Sequence, residues 1–496
     1  MRDVAAVVKA YDIRGVVGEE LDEELAETFG ACFARLVPED EVVVGHDMRA
    51  SSPGLADAFI RGVLGQGSDV LRIGLAGTDM VSYASGVLGR PGAMITASHN
   101  PPRYNGIKLC RAYAEPIGWD TGLRTLLHLA RGPRARPPRA GTGQVRDQPV
   151  LAGYRDHLLA LAAPDTAPVR QITAVVEAGG GMAGLTAATV LGALPVDVIP
   201  LNFGVDGDFP QPDADPMRPG YTAALRDRVR AARADVGFAF DGDADRCVVV
   251  DERGETVAPS AVGALLAERA LAREPGAAVV HSAVTSRSLP HAVTALGGRA
   301  VRSRVGHSYM KREMARTRAV LGVEHSAHCY FGRFWNADSG LLAALHVLAA
   351  LGATHQPVSQ LVSRRTPYTT LPETAIRVAE PDARLREVAR AAGARPDTTC
   401  DWLDGLTVRR ADGAWFNLRP SNTESRGLLR LNVEARDEHT ATSLRAEVLD
   451  LVETPPTRPR PARSRPAPPK SPPTSPTTPP SPRAPHTPAA PAQEGV

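Results

Sequence analysis

Residues 235–240 and 247–250 are apolar runs short enough for buried strands. The six residues between them, Asp241, Gly242, Asp243, Ala244, Asp245 and Arg246, put three carboxylates at alternating positions. Such groups in one tight connection repel each other unless something cationic sits among them. Hard oxygen donors that close suit a divalent ion, most simply Mg²⁺. The plain alternative is a solvated turn. An EF-hand is a second, because Asp241, Asp243, Asp245 and Glu252 fall at loop positions one, three, five and twelve. Arg246 stands where that loop needs glycine and the flanks read as strands, so the EF-hand is rejected. Mg²⁺ keeps ligand positions for water or phosphate, which makes a phosphate the missing ligand.

A second stretch offers the phosphate a place. Residues 96–108, TASHNPPRYNGIK, follow the apolar run 92–95, and Pro101 and Pro102 stop a strand from continuing. Ser98 is therefore expected at a strand end, pinned in a turn, with Lys108 as a candidate general acid. Serine and asparagine are ordinary turn residues, so the loop by itself is weak evidence. A phosphoryl group on Ser98 would be neutralised and polarised for transfer by a metal at the acidic loop.

The 496 residues suffice for about three or four domains. No run of eighteen apolar residues interrupts the chain, and Lys9 and an early Asp3 exclude a secretory signal at the N-terminus given. Five scattered cysteines without a CxxC pair suggest neither a disulfide framework nor a zinc site, and point to a reducing cytoplasm. The net charge of +2 hides a +5 segment after Thr454, six Arg/Lys against one Glu, which leaves −3 on the rest. Such a body is not expected to bind nucleic acid.

Apolar runs at 42–44, 70–73 and 92–95 alternate with helix-compatible stretches such as 22–36, an α/β pattern. The same reading gives a strand at 172–177 and a helix at 182–194, joined through Gly179, Gly180 and Gly181, which are read as a tight turn rather than a phosphate cradle because the dinucleotide spacing is missing. Residues 367–453 alternate and end in a helix, as a smaller α+β domain would. From Pro455 the composition is Pro, Ser, Thr, Ala and Arg, expected to be disordered with polyproline II character; its PxxP spacings could recruit an unidentified partner.

Taken together, these motifs resemble the α-D-phosphohexomutase superfamily, most closely its bacterial phosphomannomutase/phosphoglucomutase branch, over residues 9–453. Tyr11, Asp12, Ile13, Arg14, Gly15 resembles the N-terminal YDIRG; TASHNPPRYNGIK resembles the phosphoserine loop; DGDADR resembles the metal loop. Residues 304–307, RVGH, resemble the VGH segment, Glu324–His328 resembles the sugar-recognition loop, and RPSNTE at 419–424 resembles the phosphate-docking loop.

The resemblance implies four domains around a cleft: α/β domains at 1–150, 151–254 and 255–366, a smaller α+β domain at 367–453, then the tail at 454–496. It implies phosphorylated Ser98, with Asp241, Asp243, Asp245 and the phosphoserine as ligands of one Mg²⁺. Arg14, Lys108, Arg246 and His307 follow as catalytic residues. Tyr11, Glu324, Ser326, His328, Arg419, Ser421, Asn422 and Thr423 follow as substrate-binding residues. The expected reaction interconverts mannose 6-phosphate and mannose 1-phosphate through a hexose 1,6-bisphosphate, which also serves as activator, with glucose phosphates as further substrates. Glu324 and Ser326 would read O3 and O4, and not C2, where the two sugars differ.

Phosphoglucosamine mutase, a Mg²⁺ phosphatase and a catalytically impaired scaffold are the rivals. Ser425, Arg426 and Gly427 lengthen a turn where the family commonly has one proline. Ala327 and Val323 stand where many relatives have glycine, so Ala327 is expected to be strained if its φ is positive.

Overall fold

The computed structural model describes residues 3–132, 143–163, 168–209, 215–218, 220–363, 367–421 and 427–453. The proline-rich segment from 454, and with it the expectation of disorder there, lies outside them.

Four sheets follow one another along the chain. In the first, Glu41–His46 pairs in parallel with Asp69–Leu75 and Gly92–Ile95, and Tyr104–Cys110 then returns antiparallel beside Gly92–Ile95. The second repeats the scheme: Ile172–Glu177 lies parallel to Val196–Leu201 and Val236–Phe240, and Cys247–Asp251 returns antiparallel. In the third, Ala278–Ser282 lies parallel to Arg299–Ser303 and Leu321–Val323, and Cys329–Phe331 returns antiparallel. Each antiparallel return follows a parallel strand, so its connection emerges at a carboxyl end, where open α/β sheets bind ligands. Those connections hold Ser98, Asp241–Asp245 and Glu324–His328. The shared scheme is the α/β architecture expected, three times over.

The fourth sheet is antiparallel throughout, with Leu428–Ala435 between Trp415–Pro420 and Thr374–Arg377. Helices Pro381–Gly393 and Glu438–Glu453 cover it, and its core of Leu385, Val388, Phe416, Leu418, Leu444 and Val448 is its own. This is the smaller α+β unit.

Local sequence explains the helices that hold the first sheet. Asp22 caps Glu23–Leu36, accepting from the Leu25 amide at 2.9 Å. That helix crosses Ser52–Leu64 so closely that a Cβ on Gly30 would lie 2.0 Å from the Phe59 carbonyl oxygen. Only glycine fits there.

The helix after the triple glycine is shorter than its apolar pattern suggested, Ala183–Leu191. Gly192 and Pro195, the latter also disfavouring helical backbone at the residue before it, end it early. The glycine turn itself is architecture: Gly179 donates to Glu177 Oε1, Gly180 to the Asn202 carbonyl and Gly181 to the Ala178 carbonyl, which occupies the amides a phosphate would need. Among the described residues no helix is long and apolar enough to cross a membrane.

Candidate active site

Ser98 is buried in a left-handed backbone conformation, φ 52°, between the strands Gly92–Ile95 and Tyr104–Cys110. Its amide donates to Thr96 Oγ1 at 2.9 Å, and Thr96 donates to Asp47 Oδ2 at 2.6 Å. Arg49, itself buried and paired with Asp47, donates to the carbonyls of Ser98, Asn100, Pro101 and Tyr104 at 2.7–2.9 Å. One guanidinium thus satisfies four backbone acceptors, and its fork sets the shape of the loop. Arg14 reaches the same loop, donating to Asn100 Oδ1 at 2.5 Å and the Ala97 carbonyl at 3.3 Å while paired with Asp12.

The Ser98 hydroxyl donates to Asp241 Oδ2 at 3.0 Å across the boundary between the first two sheets. Asp241, Asp243 and Asp245 are all buried, and each offers an oxygen within 4.8 Å of the others. Arg246 donates to Asp241 through Nε at 2.9 Å and pairs with Asp215 at 3.1 Å. Lys108 Nζ lies 2.6 Å from Asp243 Oδ2 and 2.7 Å from Asp245 Oδ2. Two buried cations, Arg246 and Lys108, thus stand among three buried carboxylates. Burial raises Asp241 above the usual carboxylate range, and its two acidic neighbours add to the rise against the pull of Arg246. Burial likewise works against ionisation of Asp243, but Lys108 and Thr78 outweigh it and hold this carboxyl low. Burial would lower Lys108 too; Asp243 and Asp245 hold its ammonium above its ordinary pKa, so it is charged.

This donor set fits a divalent cation. Among the described residues Asp243 Oδ1 is buried with no hydrogen-bond partner, and Asp245 Oδ1 has only His328 Nε2 at 3.4 Å. Two hard anionic oxygens left this way favour a metal over a purely structural ion-pair network. Asp245, His328 and Asp338 form a second close group, but Lys311 already pairs with Asp338 at 2.8 Å.

The third sheet faces this centre through His328, whose Nδ1 pairs with Ser326 Oγ at 2.8 Å. Glu324 Oε1 accepts from the Gly306 amide at 2.8 Å and Oε2 from Tyr330 OH at 2.6 Å, which ties the loop at 324–328 to the segment 304–307. Tyr11 donates to the Val305 carbonyl at 2.9 Å and packs edge-on against His307, 5.4 Å between ring centres. Burial raises the Tyr11 phenol, with Glu324 and Asp404 adding to the rise. Burial pushes the His307 imidazole down to about 4, and among the described residues its buried Nε2 has no hydrogen-bond partner. His307 is therefore neutral near pH 7.

In the fourth sheet Arg419 is buried and Ser421 accepts from Arg430 Nε at 3.3 Å. Asn422 and Thr423, with most of the lengthened turn, lie outside the described residues. Ala327 does take positive φ, 68°, so the strain its side chain predicts is present.

Several site residues escape the sequence reading. Thr78 donates to Asp243 Oδ2 at 2.5 Å and its amide to the Asp243 carbonyl at 3.1 Å. Asp47 and Arg49 shape the serine loop, and Tyr330 holds Glu324. A D-x-R group directly after the strand Glu41–His46, at its carboxyl end, is the one signal that could have exposed Asp47 and Arg49.

Comparison with known proteins agrees with this geometry. The chain matches the phosphoglucomutase/phosphomannomutase family in four consecutive parts: alpha/beta/alpha domain I over residues 5–124, domain II over 152–254, domain III over 258–368 and the C-terminal domain over 373–451. It is 38% identical to a phosphomannomutase of Escherichia coli over 454 residues, 88% of this chain and 97% of that protein. It is 36% identical to a protein of Xanthomonas campestris named phosphohexose mutases, over 88% of this chain and 97% of that one. The crystal structure of a phosphoglucomutase/phosphomannomutase family protein from Burkholderia thailandensis superposes with a TM-score of 0.81 at 29% identity, covering 91% of this chain and 98% of that one. With its motifs, its four sheets and these relatives in agreement, the chain belongs to the phosphoglucomutase/phosphomannomutase family.

Proposed function

We propose that this protein is a phosphomannomutase: it interconverts mannose 6-phosphate and mannose 1-phosphate through phosphorylated Ser98 and a hexose 1,6-bisphosphate, and also accepts glucose phosphates. The observation that carries this reading is the 3.0 Å contact between Ser98 Oγ and Asp241 Oδ2, which sets a nucleophilic hydroxyl against a buried triad of carboxylates. A Mg²⁺ ion held by Asp241, Asp243 and Asp245 would neutralise phosphoryl charge and polarise the group for transfer.

In the forward half-reaction the bond from phosphorus to Ser98 Oγ breaks and one from phosphorus to the free sugar hydroxyl forms; the reverse transfer, after the bisphosphate turns over, returns the other phosphate to Ser98. His307, neutral and with a ring nitrogen that has no partner among the described residues, is the candidate to take the hydroxyl proton. Lys108 and Arg246 stay charged and hold the carboxylates in place, and Arg14 steadies the serine loop. Glu324, Ser326 and His328 face the sugar, with Tyr11 beside them, and Arg419 and Ser421 offer donors to its distal phosphate. Asn422 and Thr423 join them on the sequence resemblance alone. A bisphosphate activator would restore phosphate to Ser98 when the intermediate escapes. Unpaired cysteines suit a cytoplasmic enzyme.

The test is phosphorus NMR of the purified protein with Mg²⁺ and catalytic glucose 1,6-bisphosphate, following mannose, glucose and glucosamine 1-phosphates in parallel. Mannose turning over fastest is expected, with activity falling at least about a thousandfold in Ser98→Ala. Glucosamine turning over fastest would reassign the protein, and stoichiometric phosphate release would make it a phosphatase.

A further inference from the structure

Two arginines on neighbouring strands of the fourth sheet converge on one carboxylate. Arg419 and Arg430 stand directly opposite each other in the antiparallel pair of Trp415–Pro420 with Leu428–Ala435, so their side chains leave the same face. Like charges in that relation repel. Glu373, just before the strand Thr374–Arg377, accepts from both: Oε1 from Arg430 Nη1, and Oε2 from Arg419 Nη2 at 3.3 Å.

Arg419 is more than nine-tenths buried, and among the described residues its Nε has no hydrogen-bond partner. A buried guanidinium with a donor to spare, beside the Ser421 hydroxyl that Arg430 also touches, is a site built for more acceptor oxygens than Glu373 supplies. The group lies within electrostatic reach of the loop at 324–328: burial lowers the His325 imidazole while Glu373 opposes that and Arg419 adds to it.

The geometry points to Glu373 as a built-in competitor for the phosphate-docking site: its carboxylate occupies the Arg419–Arg430 pair, and the distal phosphate of a hexose phosphate must displace it, with Arg430 as a second phosphate-binding arginine. Carboxylate and phosphate make the same demand on a guanidinium, two oxygens accepting from its planar fork, so they exchange on one pair of donors. Such competition weakens phosphate binding and shortens its stay. That property suits a sugar that must release one phosphate from this site and present the other, a purpose that rests on the mutase reading. The competition itself does not rest on it.

Binding of inorganic phosphate to the full chain, measured by calorimetry, tests the competition without any turnover. Glu373→Gln keeps the shape and removes the charge, and is expected to bind phosphate about tenfold more tightly than wild type. In an Arg430→Met background the same substitution is expected to gain much less, because competition needs both arginines; a simple through-space field would give the full gain in either background. Unchanged or weaker binding in Glu373→Gln, or gains that add independently of Arg430, would overturn the proposal and leave Glu373 as a neutraliser of the cross-strand pair. Should Glu373→Gln not fold, Glu373→Asp, whose reach is one methylene shorter, is expected to tighten phosphate binding in the same direction, and its failure to do so overturns the proposal equally. In the mutase assay Glu373→Gln is expected to lower KM and, as release slows, kcat. Absence of mutase turnover in wild type with these phosphate affinities intact would refute the functional reading and leave the competitor standing.

Discussion

The hydroxyl of Thr78, at the start of the helix Thr78–Leu88 in the first domain, donates at 2.5 Å to Asp243 in the metal-type loop of the second. It orients a carboxylate whose other oxygen has no hydrogen-bond partner among the described residues. Groups that orient metal ligands in this way typically alter metal affinity by 10–100-fold when removed. Thr78→Val is therefore expected to raise the Mg²⁺ concentration for half-maximal activity by about tenfold, with activity recovering at high Mg²⁺. Thr78→Ser, which keeps the hydroxyl, should titrate like wild type.

Arg49 holds four carbonyls of the serine loop and neutralises buried Asp47. Arg49→Met removes one partner of a buried pair and should destabilise the fold by about 3 kcal/mol or more, read from the midpoint of urea denaturation. Arg49→Lys keeps the charge but not the fork, so a smaller loss of stability is expected together with slower phosphorylation of Ser98. Equal stability of all three proteins would refute this role for the guanidinium.

Asp79 joins three domains. Its Oδ2 accepts from Tyr154 OH and from Ser339 Oγ, each at 2.6 Å, while Oδ1 is buried with no partner among the described residues. Burial pushes this carboxyl up to about 7, against the lowering effect of the two hydroxyls. The folded state thus holds a proton that the unfolded chain loses near pH 4. The stability this provides is fully present below pH 4 and is lost as pH rises to about 7, by a few kcal/mol at most. Chemical denaturation across that range should show the decline in wild type and a flatter curve in Asp79→Asn.

Ala327 sits in the loop at 324–328 at φ 68°, where a Cβ costs about 1 kcal/mol. Ala327→Gly should raise the melting temperature or leave it unchanged, since the relief of strain is partly offset by a more flexible unfolded chain. Ala327→Val should lower it clearly, because a β-branched residue tolerates positive φ poorly.

The loops carrying Ser98, Asp241–Asp245 and Glu324–His328 were legible because each is a contiguous polar stretch between apolar runs. A chain that must reverse between two buried strands has few places to put such residues except at the turn. Thr78, Arg49 and Glu373 did not stand out, since the polar residues around each fit an ordinary helix start or strand end equally well, the D-x-R spacing at Arg49 being the one hint.

By itself, then, the sequence determined the α/β pattern and the chemistry of each loop, both set by side chains a few residues apart. Tertiary structure alone decided which charges face one another. Ser98 meets Asp241 across 143 residues, Thr78 meets Asp243 across 165, and Ser339 meets Asp79 across 260. Contacts that distant depend on how separate sheets pack, and packing is settled by the shape of buried apolar surfaces rather than by the spacing of polar residues along the chain.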